Sequence, residues 1–169
     1  DAELTLKLWQ RLQQELTAQD LWSVFTLETD LFPCLIDMKF KGVRVDMERA
    51  DTIKKEIVKK EKKTLLDIKK EVGFDVEIWA ASSCALAFDK VNLPYDKTDK
   101  GNPSFTKNFL STHPHPLAKN ITLARELNKA HTTFIDTIIK HEHKGRIHAD
   151  INQIRSDQGG TVTGRFSYS

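Results

Sequence analysis

The stretch Asp46–Gly73, DMERADTIKKEIVKKEKKTLLDIKKEVG, decides the fold. Ala50, Ile53, Ile57, Leu65, Ile68 and Val72 recur at helical steps, with a polar gap at Glu61. Apolar residues three and four apart line one face of an α-helix. Asp46 suits the N-cap, where a short carboxylate accepts from free backbone N–H groups. Gly73 suits the position after the helix, where the backbone turns left-handed. The 26 residues between them would span about 39 Å at about 1.5 Å per residue. The other faces carry Lys54, Lys55, Lys59, Lys60, Lys62, Lys63, Lys69 and Lys70, interleaved with Glu56, Glu61, Asp67 and Glu71. That interleaving reads as an ordinary solvated helix face.

A second long helix follows downstream. Pro116 fits its first turn, where a missing N–H costs nothing. Leu117, Ile121, Ala124, Asn128, His131, Ile135 and Ile138 form an inner row toward Lys140. Residues 74–114 are irregular, with short helices expected over Ala80–Lys90 and over Ser104–Leu110, the latter capped by Ser104. The polar, Gly/Pro-punctuated run 94–103 reads as an exposed loop. Two long helices joined by a compact tip describe an antiparallel pair.

Working outward, Leu4, Leu8, Leu12 and Leu16 predict a helix over residues 1–16. From residue 18 to 40 the apolar groups wrap around more than one stripe, which predicts a helix buried on several sides. Pro33 marks a bend or a helix start in that run. Val43-Arg44-Val45 is a short extended piece. Arg146 to Asn152 alternates strictly, with Ile147, Ala149 and Ile151 on one face, which predicts a strand. Gly159-Gly160 turns the chain, and Thr161 onward returns as a second strand. The fold class is therefore mainly α: a long antiparallel helix pair with a helical tip, plus a short C-terminal β-hairpin.

The 169 residues fit one domain, or one and a fraction. Charged residues make up 30% of the chain and the net charge is +2, which permits nucleic-acid binding without demanding it. Cys34 and Cys84 show no C-x-x-C spacing and read as reduced thiols of an intracellular protein. No secretory signal is visible. No apolar run approaches the roughly 18 residues of a membrane helix, so no membrane association is expected. The first residue is Asp rather than Met, which reads as a piece of a longer chain.

Near the C-terminus stands Gly159-Gly160-Thr161-Val162-Thr163-Gly164-Arg165-Phe166-Ser167. Glycine beside arginine, flanked by small hydroxyl residues, lets backbone and guanidinium approach a polyanion closely. This run resembles the T-x-[TS]-G-R-[LFA]-S motif that enters the palm of family A DNA polymerases. The resemblance covers nearly the whole chain. Asp1-Ala2-Glu3-Leu4-Thr5 and Leu8 are similar to the end of the third motif of the 3′–5′ exonuclease domain. Glu28 through Leu31, Pro33, Leu35, Met38, Gly42, Val43 and Asp46 resemble the E-x-P-L…L…M…G-[VI]-x-[VI]-D run that joins that domain to the thumb. Asp30 stands where a proline is usual. Phe88-Asp89-Lys90-Val91-Asn92-Leu93-Pro94 resembles the thumb-tip F-[ED]-K-L-[GN]-L-P. Arg125, Lys129, Thr132, Thr133 and Phe134 resemble R-x-x-x-K-x-x-[ST]-[TF] of the second thumb helix. Thr161 follows Gln153 by eight residues, a longer separation than in bacterial repair polymerases and similar to that of bacteriophage-type replicative members.

The resemblance implies residues 1–16 as the last exonuclease helix, 17–45 as a connecting segment, 46–143 as the thumb and 144–169 as the start of the palm. It implies DNA-directed DNA synthesis for the parent protein, with Mg²⁺, and a cytoplasmic site of action in a bacterium or phage-infected cell. It implies primer–template duplex as the partner of this piece, which carries no palm aspartates and is expected to be inactive alone and to need no cofactor. Asn152, Gln153, Thr161, Thr163, Gly164 and Arg165 are then DNA-contacting, with Arg165 in the minor groove. Arg125, Lys129, Thr132 and Thr133 are the thumb contacts: the first three share a face at i, i+4 and i+7 and would track phosphates. Asp1 would be the metal-binding aspartate of the exonuclease motif. The apolar 21–40 segment is expected to pack on missing palm or to self-associate. His113-x-His115 and His141-x-His143 lack cysteine partners at metal-site spacing and read as loop residues. Trp9, Trp22 and Trp79 read as packing groups. The competing reading is a non-enzymatic helical scaffold that binds protein through its helix pair.

Overall fold

The structure, a computed structural model, describes residues 1–153, 161, 163 and 165–168. The chain divides into two compact units, Val45–Glu142 and a second made of Asp1–Arg44 with His143–Ser169.

In the first unit, α3 (Met47–Val72) runs the predicted length. The Asp46 carboxylate accepts from the Arg49 N–H at 3.0 Å. Gly73 ends the helix at φ 89°, its N–H donating to the Lys69 carbonyl at 2.8 Å. The second long helix is α6 (Pro116–Lys129), a π-helical segment (Ala130–Ile135) and α7 (Asp136–His141) in succession. The two run antiparallel. Lys54 pairs with Asp136 at 2.6 Å, Glu61 meets Asn128 and His131, and Glu71 lies 3.6 Å from His115. As expected, Pro116 occupies the first turn of α6. His113 and His115 have a use there: His113 Nδ1 accepts from the His115 N–H and His115 Nδ1 from the Leu117 N–H, both at 3.2 Å.

The tip holds the core. Ile68, Val72, Cys84, Phe88, Leu110, Leu117 and Ile121 are fully buried. Each large side chain removed from water there stabilises by about 1.5–3 kcal/mol. Phe88 and Phe105 pack at 4.9 Å between centroids, and Tyr95 lies 5.3 Å from Phe105. Ala85, Ala87, Ala118 and Ala124 are buried between them. α4 (Ala81–Lys90) matches the expected first tip helix within a residue. The second is shifted. Ser104 is not its cap: Pro103–Ser104 (β3) pairs antiparallel with Asp96–Lys97 (β2), and Thr106 caps α5 (Lys107–Thr112) by accepting from the Phe109 N–H. The run expected to be a plain loop is thus a hairpin, closed by Thr98 N–H to the Asn102 carbonyl at 2.8 Å and Gly101 N–H to the Thr98 carbonyl at 2.7 Å. Gly101, at φ 81°, supplies the left-handed residue that closure needs.

In the second unit, α1 (Ala2–Ala18) and α2 (Trp22–Lys41) meet through Trp9, Trp22 and Phe25, with ring centroids 5.5–6.5 Å apart. The expectation that 18–40 is buried on several sides is corrected. Leu35 alone is buried in α2, whereas Val24, Leu27, Phe32, Met38 and Phe40 are at least half exposed. Pro33 does not start a helix but lies within α2. The predicted strand 146–152 divides in two, because its halves have different partners. Arg146–Ile147 (β5) lies between Val43–Arg44 (β1) and Glu142–His143 (β4). Ile151–Asn152 (β6) pairs with Ser167–Tyr168 (β7), so the return strand begins at Ser167 rather than Thr161. Gly42 allows this approach: at φ 61°, a Cβ there would meet the Ile147 carbonyl at 2.6 Å.

Candidate nucleic-acid interface

Lys129 is the last residue of α6, and Thr132 and Thr133 sit in the π-helical segment that follows. All three are exposed. Thr132 Oγ1 donates to the Asn128 carbonyl at 2.8 Å, so its hydroxyl must leave that acceptor before it can donate to a phosphate. A π-turn is uncommon and recurs where a helix presents groups for function. Lys129 has no ion-pair partner among the described residues.

Arg125 is held differently from the rest of the expected stripe. Its Nε donates to the Ile78 carbonyl at 2.7 Å and an Nη to the Phe105 carbonyl at 2.8 Å. The guanidinium carbon lies 5.4 Å from the Trp79 ring centroid. Both carbonyls belong to buried residues without ladder partners of their own, so a rigid cationic fork suits them. Arg125 is therefore occupied inside the tip, and the exposed edge begins at Lys129. Cys84, 3.8 Å from the same guanidinium, has its thiol pKa pushed up by burial, with the Arg125 charge opposing the shift.

Beside this edge lies a polar cluster that periodicity reads only as a gap. Glu61, at 8% exposure, accepts from Asn128 Nδ2 at 2.9 Å, and its other oxygen lies 2.7 Å from His131 Nε2. Trp79 Nε1 donates to Asn128 Oδ1 at 3.0 Å. Thus Arg125, Trp79, Asn128, Glu61 and His131 form one continuous series from the tip to the π-helical segment. A signal for it exists in the sequence. Glu61 is twelve residues before Gly73 and Asn128 twelve after Pro116, so both lie at one height above the tip.

In the other unit, Gln153 Nε2 donates to Glu28 Oε2 at 2.6 Å and to the Glu28 carbonyl at 3.2 Å. Asn152 is half buried in β6, opposite Ser167. Thr161 is half buried, and its hydroxyl donates to the Arg165 carbonyl. Thr163 and Arg165 are exposed. Gly164 lies outside the described residues, as does the 154–160 insertion. Arg146, unremarked in the sequence, donates to the Lys41 and Gly42 carbonyls at 2.9 and 3.2 Å. Asp1 is exposed, and its side chain makes no capping bond to α1. Among the described residues no three His, Cys, Asp or Glu side chains converge on a metal position. No described helix is long and apolar enough to cross a membrane.

The sequence profile of DNA polymerase family A matches residues 47–169. A DNA-directed DNA polymerase of Pseudomonas phage M6 is 32% identical over 99% of this chain, and DNA polymerase DpoZ of Salmonella phage PMBT28 is 33% identical over all of it. The chain spans 27% and 30% of those two proteins. A solved POL domain of Pol1 from M. smegmatis, in complex with DNA primer-template and dNTP, superposes with a TM-score of 0.81 at 22% identity. That match covers 97% of this chain and 29% of the other.

Proposed function

This chain belongs to DNA polymerase family A, and from that premise we propose that it holds primer–template duplex for template-directed DNA synthesis by the whole protein. The observation that carries the reading is the exposed edge of Lys129, at the end of α6, with Thr132 and Thr133 in the π-helical turn that follows, and the Glu61–His131 contact behind it. Such groups contact phosphates, which position a duplex without reading its sequence. Arg165, exposed after the Thr161–Gly164 run, supplies a guanidinium for the minor groove, where every base pair offers acceptors. Arg125, engaged by the Ile78 and Phe105 carbonyls, is left out of the proposed contacts. Mg²⁺ belongs to the chemistry proposed for the whole protein, and no residue described here is assigned to it. A bacterial or phage-infected cytoplasm is the proposed setting.

The test is a fluorescence-anisotropy titration of primer–template duplex across a salt series. Lys129→Ala is expected to flatten the log–log salt slope by about 0.9, the loss of one phosphate contact. A folded chain that binds no duplex at low salt would sink the reading and favour a protein scaffold instead.

We also propose that the isolated chain self-associates through α2, whose Leu27, Phe32 and Phe40 are 65%, 56% and 80% exposed. Large apolar groups exposed around a helix in this way are costly in water. Sedimentation velocity should show a weight-average mass rising with concentration, abolished by Leu27→Asp/Phe32→Asp. A concentration-independent monomer would contradict it.

A further inference from the structure

We propose that the outer face of α3 is a second polyanion-binding surface, which takes a nucleic-acid backbone independently of the Lys129 edge. At 3.6 residues per turn, Lys55, Lys59, Lys62 and Lys63 fall within about 100° of one another. They face away from Glu61, Thr64 and Ile68, which are buried against the second helix.

The charges on this face are not balanced. Lys54, Lys55, Lys69 and Lys70 each have an ion-pair partner: Asp136, Asp51, Asp75 and Asp67. Lys59, Lys60, Lys62 and Lys63 are exposed and have none among the described residues. In sequence Glu61 sits amid these four, but in space it is buried and bonded to Asn128 and His131. Glu56 lies at the edge of the stripe and makes no ion pair with Lys59 or Lys60. Of the interleaved acids, folding therefore takes Glu61 out of the stripe, while Glu56 stays exposed at its edge.

The face suits phosphates better than protein. It presents no aromatic anchor, and Leu66 is its exposed large apolar group. Protein interfaces are depleted in lysine and depend on buried aromatic anchors. A lysine row instead binds a polyanion by releasing its counterions. The rises of about 6 Å from Lys55 to Lys59 and about 4.5 Å to Lys62 follow from about 1.5 Å per residue. They compare with about one charge per 3.4 Å along a single strand. A shallow groove of about 540 Å³ runs beside the row, lined by Asp51, Lys54, Lys55, Val58, Lys59 and Lys62.

The test uses the whole 169-residue chain and a blunt DNA duplex without a primer terminus. The variant is Lys55→Gln/Lys59→Gln/Lys62→Gln/Lys63→Gln, which keeps helix propensity. Its log–log salt slope should be flatter by about 2–3, at about 0.9 per lost contact, with an unchanged melting temperature. Combined with Lys129→Ala, the two changes should add. An unchanged slope in the folded quadruple variant would overturn the proposal. So would a polyglutamate peptide that competes as well as duplex of equal charge, since that identifies an acidic protein as the occupant. Lys129→Ala alone reports on the grip of the second helix and the quadruple variant alone on α3, so one can fail without the other.

Discussion

Arg125→Ala is expected to destabilise the Val45–Glu142 unit by about 3–5 kcal/mol. Two charge-assisted hydrogen bonds are lost, each worth about 1.5–3 kcal/mol. The Phe105 carbonyl, in a residue 7% exposed, then loses its cationic donor, and the Ile78 carbonyl, in a residue 5% exposed, keeps only the weak Cys84 thiol. Against a total stability of about 5–15 kcal/mol for a domain, this is a large fraction. A thermal melt followed by circular dichroism should shift down by roughly 15 °C or more, at about 4–8 °C per kcal/mol. Arg125→Lys should recover less than half, because one ammonium cannot hold two carbonyls in a fork. If Arg125 were instead a phosphate contact, alanine would leave the melt unchanged and flatten the salt slope. A shift of only a few degrees would contradict the assignment made here.

Glu61→Ala is expected to cost about 3 kcal/mol. The carboxylate is the shared acceptor for Asn128 and His131, and removing it leaves Asn128 Nδ2 and His131 Nε2 without that acceptor, although Asn128 keeps Trp79. Glu61→Gln should cost less than half as much, since the amide oxygen still accepts from Asn128. Urea denaturation measures both. The cluster also predicts coupling: Glu61→Ala combined with His131→Ala should cost clearly less than the two single changes summed. Strict additivity would mean that the 2.7 Å contact carries no energy of its own. Because His131 lies in the π-helical segment, Glu61→Ala should weaken duplex binding as well, although Glu61 is buried away from any ligand.

Local signals were legible where one residue type answers one backbone need. Asp46 capping α3, Gly73 ending it and Pro116 opening α6 all follow from which groups a helix end leaves unpaired. Ser104 failed for an instructive reason. It has the chemistry of a cap, but pairing with Asp96 claims its backbone, and Thr106 takes the position. The alternating run 146–152 shows strand propensity and nothing about partners, so its division between β1 and β7 could not be read from it. The apolar groups of α2 were legible as apolar, yet composition does not say what covers them.

The site residues divide the same way. Lys129, Thr132 and Thr133 were picked out by family resemblance, the first two also by helical spacing, and all three are exposed. Arg125 shares the spacing and differs in role, because the carbonyls it serves come from 47 and 20 residues away.

By itself the sequence determined the family, the mainly helical class and the lengths of both long helices. These depend on periodicity, caps and motif order, which are local in the chain. Only the tertiary structure decided how charge is distributed. Folding turns Glu61 inward among its lysines, takes Arg125 into the tip and leaves Lys59, Lys60, Lys62 and Lys63 facing water. The reason is that burying a polar group is tolerable only beside a partner, and those partners lie far along the chain, where no local pattern records them.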